Sequence, residues 1–262
     1  MIGSILSWFT DPANWQGEDG IPHRVLQHLE YTAMAVLLAA LIAIPLGLWV
    51  GHTGKLRWLV SLANSVRAVP TLGLLFAVSL WLGPKISGDL AFTLPSILVL
   101  AVLAVPPLLA GTYAGIEAVP PAARDAARGV GMTSGQVLRQ VEVPNGLPLM
   151  MSGLRSAVLQ VVATATVAAF IGLGGLGRYL IDGIALGDYP QTAGGAILVA
   201  VLAVVLDALF ALVQRRAVSP GLTGRSSRPG RRGVGGGGKD SRSVAVEADR
   251  PMADARTPAS SA

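Results

Sequence analysis

Residues 120–148 read Pro-Pro-Ala-Ala-Arg-Asp-Ala-Ala-Arg-Gly-Val-Gly-Met-Thr-Ser-Gly-Gln-Val-Leu-Arg-Gln-Val-Glu-Val-Pro-Asn-Gly-Leu-Pro. Pro120 and Pro121 suit the first turn of a helix, which the alanines and Arg124 to Arg128 then propagate. Gly131 supplies the left-handed position that ends such a helix. A second helix starts at once. Thr133 and Gln136 form a capping box, Val137, Leu138 and Val141 make an apolar stripe, and Pro144 is expected to stop the run. The reading is two short helices and a sharp elbow, a polar bracket set between the third and fourth long apolar segments of the chain.

Those apolar segments set the class. The chain has 262 residues, 52% of them hydrophobic and only 13% charged, with a mean hydropathy of +0.58. A soluble domain of this size carries more charge. About 20 apolar residues cross the roughly 30 Å hydrocarbon core as a helix. Residues 31–50, 90–116 and 156–177 meet that need without a charge, 68–84 is short, and 189–213 is interrupted by Asp207. The expectation is an all-α, polytopic membrane bundle of about five spans. Pro45, Pro70, Pro95, Pro106 and Pro107 lie in or beside these spans and read as kinks, which neighbouring helices can re-satisfy.

The net charge of +5 and pI near 10.1 raise nucleic acid as a partner, and the placement of the charges argues against it. With the N-terminus outside, Arg24, Lys85 and Arg178 fall on the outer side. The other 17 of the 20 basic residues (20 minus 3) fall on the inner side or near an inner helix end. Lys55, Arg57, Arg67, Arg124, Arg128, Arg139, Arg155, Arg215 and Arg216 keep the bias without the tail. The positive-inside rule therefore selects N-out and C-in, a multi-pass protein of the cell membrane. Trp49 and Trp58 flank the first inner loop, whereas Tyr31, Trp81, Tyr179 and Tyr189 lie near the outer boundary, as interfacial rings do.

Three regions result: residues 1–27 as an outer arm with one interfacial helix, 28–216 as the membrane domain with its bracket loop at 117–148, and 217–262 as a tail. The N-terminus lacks the basic leader of a secretory signal. The tail is rich in Arg, Gly, Ser, Pro and Ala and has no hydrophobic period, so it reads as disordered and solvated, with anionic lipid as its available contact.

No cofactor or metal site is expected. The chain has no cysteine, and His23, His28 and His52 are read as exterior and lack ligand spacing. Gly172, Gly174, Gly175 and Gly177 match a dinucleotide fingerprint but follow a membrane span rather than a strand, so they read as an outer turn with a hinge role. Residues 233–239 nearly spell a phosphate-binding loop, yet Asp240 stands where a magnesium-binding hydroxyl is needed. ATP hydrolysis by this chain is thereby excluded. Asp207 is the one charge well inside a span, and Arg215 and Arg216, two turns on, are its expected partners.

The bracket resembles the cytoplasmic signature of binding-protein-dependent ABC importer permeases: Glu-Ala-Ala, three residues, Gly, nine residues, then Ile-x-Leu-Pro. Asp125-Ala126-Ala127, Gly131 and Val141-Glu142-Val143-Pro144 reproduce its spacing, with Asp for Glu and Val for both Ile and Leu. The resemblance covers residues from about 28 to 216 and looks closest to permeases for glycine betaine, choline, carnitine and related osmoprotectants. Residues 168–177 and 206–210 also carry it. It implies that Asp125, Ala126, Ala127, Gly131, Val141 and Pro144 form the coupling segment that docks on a cytoplasmic ABC ATPase. It further implies an extracytoplasmic solute-binding protein and a second permease copy or sister subunit as partners. A secondary transporter or channel working without an ATPase is the alternative, and a membrane scaffold a third.

Overall fold

The computed structural model describes residues 2–217, and these form helices joined by short turns, with no strand among the described residues. Four helices are long and apolar enough to cross a membrane: α2 (Ile21–Thr53), α5 (Leu90–Glu117), the run Ser134–Ile171 that contains α8 (Val143–Ala168), and the run Tyr189–Arg216 of α10 (Tyr189–Ala217). A further apolar pair is bent, giving up to five crossings if it counts as one. The stretch Trp58–Ala68, which includes α3 (Trp58–Ser65), meets the stretch Thr71–Lys85, which includes α4 (Thr71–Leu82), at 91°. Val69 at the break is extended and precedes Pro70, which disfavours helical geometry for its predecessor and offers no amide donor. The short second span expected at 68–84 is thus one limb of a bent pair.

The core is built from α2, α5 and α8. Ala35, Ala39 and Ala43 of α2, Leu100, Ala104 and Leu108 of α5, and Ala157, Val161 and Ala165 of α8 are buried together. The alanines among them let backbones approach closely, a usual source of cohesion where lipid removes the hydrophobic contrast. The α5–α8 crossing is the tightest example. A Cβ on Gly111 would lie 2.6 Å from Gly153 Cα, and one on Gly115 would lie 2.6 Å from the Gly146 carbonyl oxygen, so both pairs touch through bare backbone.

By contrast α10 is little buried along its length. It is held at one end by α1 (Ile2–Thr10), whose Trp8 packs edge-on against Tyr179 at 5.3 Å and lies directly on Gly194. Tyr179 belongs to α9 (Gly177–Leu186), and burial pushes its hydroxyl up to about 12. The N-terminal arm therefore carries a packed helix, and α2 already begins at Ile21, ahead of residue 28. Residues 218–262, including the expected tail and the near-match to a phosphate-binding loop, lie outside the described residues.

Candidate functional site: the bracket between α5 and α8

α5 ends at Glu117, and after Pro120 the helix α6 (Pro121–Gly129) begins with proline in its first turn. Its end is a Schellman motif: Gly131 has φ +88°, its amide donates to the Arg128 carbonyl at 2.9 Å, and the Met132 amide donates to the Ala127 carbonyl at 3.1 Å. Nothing lies within 4 Å of a Cβ placed on Gly131, so backbone conformation and not space reserves this position for glycine. The next helix, α7 (Ser134–Val137), opens with the Thr133–Gln136 capping box. Asp125, Ala126 and Gly131 are exposed, as is Val130 at 77%, while Ala127 and Val137 turn inward and hold the two limbs together.

One expectation is overturned at Pro144. Instead of stopping the run, it sits in the first turn of α8, and the chain continues from α7 through a π-helical turn, Leu138–Glu142, into the membrane span. The reason is local. Pro144 cannot donate to the Gln140 carbonyl, and the wider turn accommodates that loss: the Val143 amide reaches back to the Leu138 carbonyl. Asn145 Nδ2 donates to the Val141 carbonyl at 2.6 Å and restores a further partner. The second limb of the bracket is consequently the base of a transmembrane helix.

Glu142, the unassigned x of the signature, is the residue that sequence reasoning passed over. Its side chain is 1% exposed and lies between two basic groups. His52 Nδ1, at the end of α2, donates to Oε2 at 2.6 Å, and Arg124 Nε of α6 lies 2.8 Å from Oε1. His52 Nε2 meets Ser134 Oγ of α7 at 2.6 Å, and Arg124 also donates to the Ile116 carbonyl at the end of α5. One buried carboxylate thus joins α2, α6 and α7 to the foot of α8. Partners 18 and 90 positions away (142 minus 124, 142 minus 52) leave no local pattern to read.

The histidines correct the sequence reading in the same way. His52 is part of this junction, and His28 is fully buried, its Nε2 donating to the Val162 carbonyl at 3.0 Å. Asp207 is also placed differently from expectation. Arg155 of α8 grips it through two bonds, Nε to Oδ1 and Nη2 to Oδ2, each 2.6 Å. Arg215 stands eight residues along the same helix, about 12 Å away at 1.5 Å per residue, whereas Arg155 reaches it laterally.

At the opposite end of α8 lies the glycine turn. Gly172 and Gly175 have positive φ, whereas Gly174 and Gly177 make close approaches, to Gln27 Oε1 and to the Thr166 carbonyl. The Gly175 amide donates to Gln27 Oε1 at 3.1 Å, and Leu173 and Leu176 are buried, so the turn is seated on the start of α2. No group of His, Cys, Asp or Glu among the described residues is arranged to hold a metal.

Residues 43–219 match the family described as the binding-protein-dependent transport system inner membrane component. The chain belongs to that family. It is therefore an ABC importer permease, a transport subunit and not an enzyme, with ATP hydrolysis carried by a separate subunit. Permeases similar to it include the glycine betaine/carnitine/choline transport system permease protein OpuCB of Bacillus subtilis (strain 168), 33% identical over 76% of this chain and 88% of the relative. The osmoprotectant import permease protein OsmW of Salmonella typhimurium is 35% identical over 72% of this chain and 87% of its own length. The fold is shared with a chain of the inward-facing MetNI methionine ABC transporter, at TM-score 0.65 and 20% identity over 74% of this chain and 94% of the other.

Proposed function

We propose that this permease forms, with a second copy or a sister subunit, the translocation path for a small osmoprotectant of the glycine betaine, carnitine or choline kind. The observation that carries the solute class is the set of relatives named for these compounds, alike along most of both chains. In this reading the N-terminus faces outward, the bracket faces the cytoplasm, and a solute-binding protein delivers cargo to the end of the bundle where the glycine turn lies. An ATPase dimer grips the exposed face of α6 around Asp125 and Ala126, with Gly131 holding the elbow. Because α7 continues into α8, a push on the bracket tilts a membrane span directly. Glu142 positions the handle by tying it to α2 and α6, while Gly172 and Gly175 provide the outer turn with its conformational range.

An ion-driven secondary transporter would need a carboxylate in the membrane that is free to load and unload. Asp207 is engaged on both oxygens by Arg155, which favours the ATP-driven reading. Reconstitution of the permease in liposomes with its ATPase and binding protein tests it. Uptake of labelled glycine betaine, carnitine or choline that requires enclosed ATP and the binding protein is the expected result; uptake that persists without the ATPase refutes it.

A further inference from the structure

Where the broken span meets α5 and α8, the bundle wall holds a concavity of about 350 Å³. Gly111 and Gly153, the pair that brings the two helices into backbone contact, form part of its floor, so no side chain fills it. Its polar lining is Arg67, Ser152, Ser156 and Gln160. Gln160 is committed through Nε2 to the Leu103 carbonyl at 3.0 Å. Ser152 and Ser156 are exposed and their hydroxyls make no hydrogen bond among the described residues, although a serine in a helix ordinarily bonds back to a carbonyl one turn earlier.

Arg67 is the one charged residue of the lining. Arg24, Arg57, Arg124, Arg128, Arg155 and Arg178 have carboxylate partners, whereas Arg67, like Arg139, Arg215 and Arg216, has none among the described residues; of these four only Arg67 lines the concavity. It also shares its concavity with Ser156, at the middle of α8, and with Pro107, one turn past the middle of α5. An exposed guanidinium with no counter-charge, set beside the middle of two spans, is placed to meet a passing ligand. Its fork of donors matches a carboxylate in two parallel bonds. No aromatic ring lines the concavity, so the means of gripping a quaternary ammonium by its charge is missing.

We infer that this concavity is a station on the translocation path where Arg67 receives the carboxylate of a zwitterionic solute, with Ser152 and Ser156 available to its second oxygen. The proposal rests on the osmoprotectant reading and narrows it: at this station the chain reads the acid end of a betaine-type molecule and favours it over choline, which has a hydroxyl there. The glycines that let the helices touch also leave the room the solute occupies.

The test is uptake of labelled glycine betaine and choline by the complete complex in liposomes, for the wild type, Arg67→Gln and Arg67→Lys, with complex recovery measured for each. Arg67→Gln should lower betaine uptake about tenfold or more, the loss of a charge-assisted hydrogen bond, while choline uptake stays within about twofold. Arg67→Lys, which keeps the charge but loses the fork, should fall between wild type and Arg67→Gln on betaine. If the wild type carries betaine alone, the ordering of the three proteins on betaine at equal recovery decides. Equal loss of both solutes, poor recovery of both variants, or betaine uptake by Arg67→Gln within about threefold of wild type overturns the proposal. A wild type that carries choline but no betaine overturns it while leaving the osmoprotectant reading intact. Uptake of neither solute removes that broader reading and this one with it.

Discussion

At the scale of single residues, Gly131 and Glu142 make opposite demands. Gly131 is required for its φ of +88° and for nothing that surrounds it, so Gly131→Ala should destabilise the elbow by about 1 kcal/mol. Gly131→Asp adds charge to the exposed surface as well. It should leave the chain inserted while abolishing recovery of the ATPase with it; normal recovery and uptake would refute the coupling role. Glu142 is required for its surroundings. Glu142→Ala strands His52 and Arg124 at a buried junction, a change that typically costs about 3 to 5 kcal/mol when one partner of a buried ion pair is removed. The expected outcome is faster proteolytic cleavage of the Pro120–Ser134 region with α5 and α8 still protected; unchanged cleavage would show that the junction does not hold the bracket. Asp207 and Arg155 form the third case. Arg155→Gln should lower the yield of folded permease, and Asp207→Asn in the same chain should recover part of it, because the second change removes the carboxylate the first leaves unpaired.

Among the elements, the α5–α8 crossing should be the least tolerant of added volume. A Cβ at Gly153 would meet the Pro107 carbonyl oxygen at 2.8 Å, and a Gly153→Leu side chain would force the two helices apart. Thermal unfolding of the purified permease should show a lowered midpoint, and a midpoint equal to wild type would mean that the crossing relaxes freely. This is also the scale at which sequence and structure can be compared. Long apolar runs, the capping box and the glycine elbow were legible because each depends on neighbours within a turn or two. Pro144 was misread because its usual effect is to break a helix, and only a π turn, invisible in residue order, lets the rod continue. Glu142, His52 and Asp207 were missed or misassigned because their partners sit on other helices. A residue pattern says that a charge is expensive without saying who compensates it.

For the molecule as a whole, topology is the quantity to measure, and the absence of cysteine makes the chain a clean host for single labels. Gly3→Cys, where nothing crowds a new side chain, should react with an impermeant maleimide from the outside of intact cells. Val130→Cys, on the exposed face of the bracket, should react only in inverted vesicles and should be protected when the ATPase is bound. Labelling of both positions from one side would overturn the arrangement with the N-terminus outside and the bracket inside. The continuity of the run Ser134–Ile171 then has a mechanical meaning. Measured from the π turn to the glycine turn, α8 is a lever arm about 40 Å long at 1.5 Å per residue, so a 10° swing at its fulcrum displaces the far tip by about 7 Å. On the coupling proposed above, work done by a motor at the bracket would arrive at the far end of α8 as amplified travel, without a relay of intermediate joints.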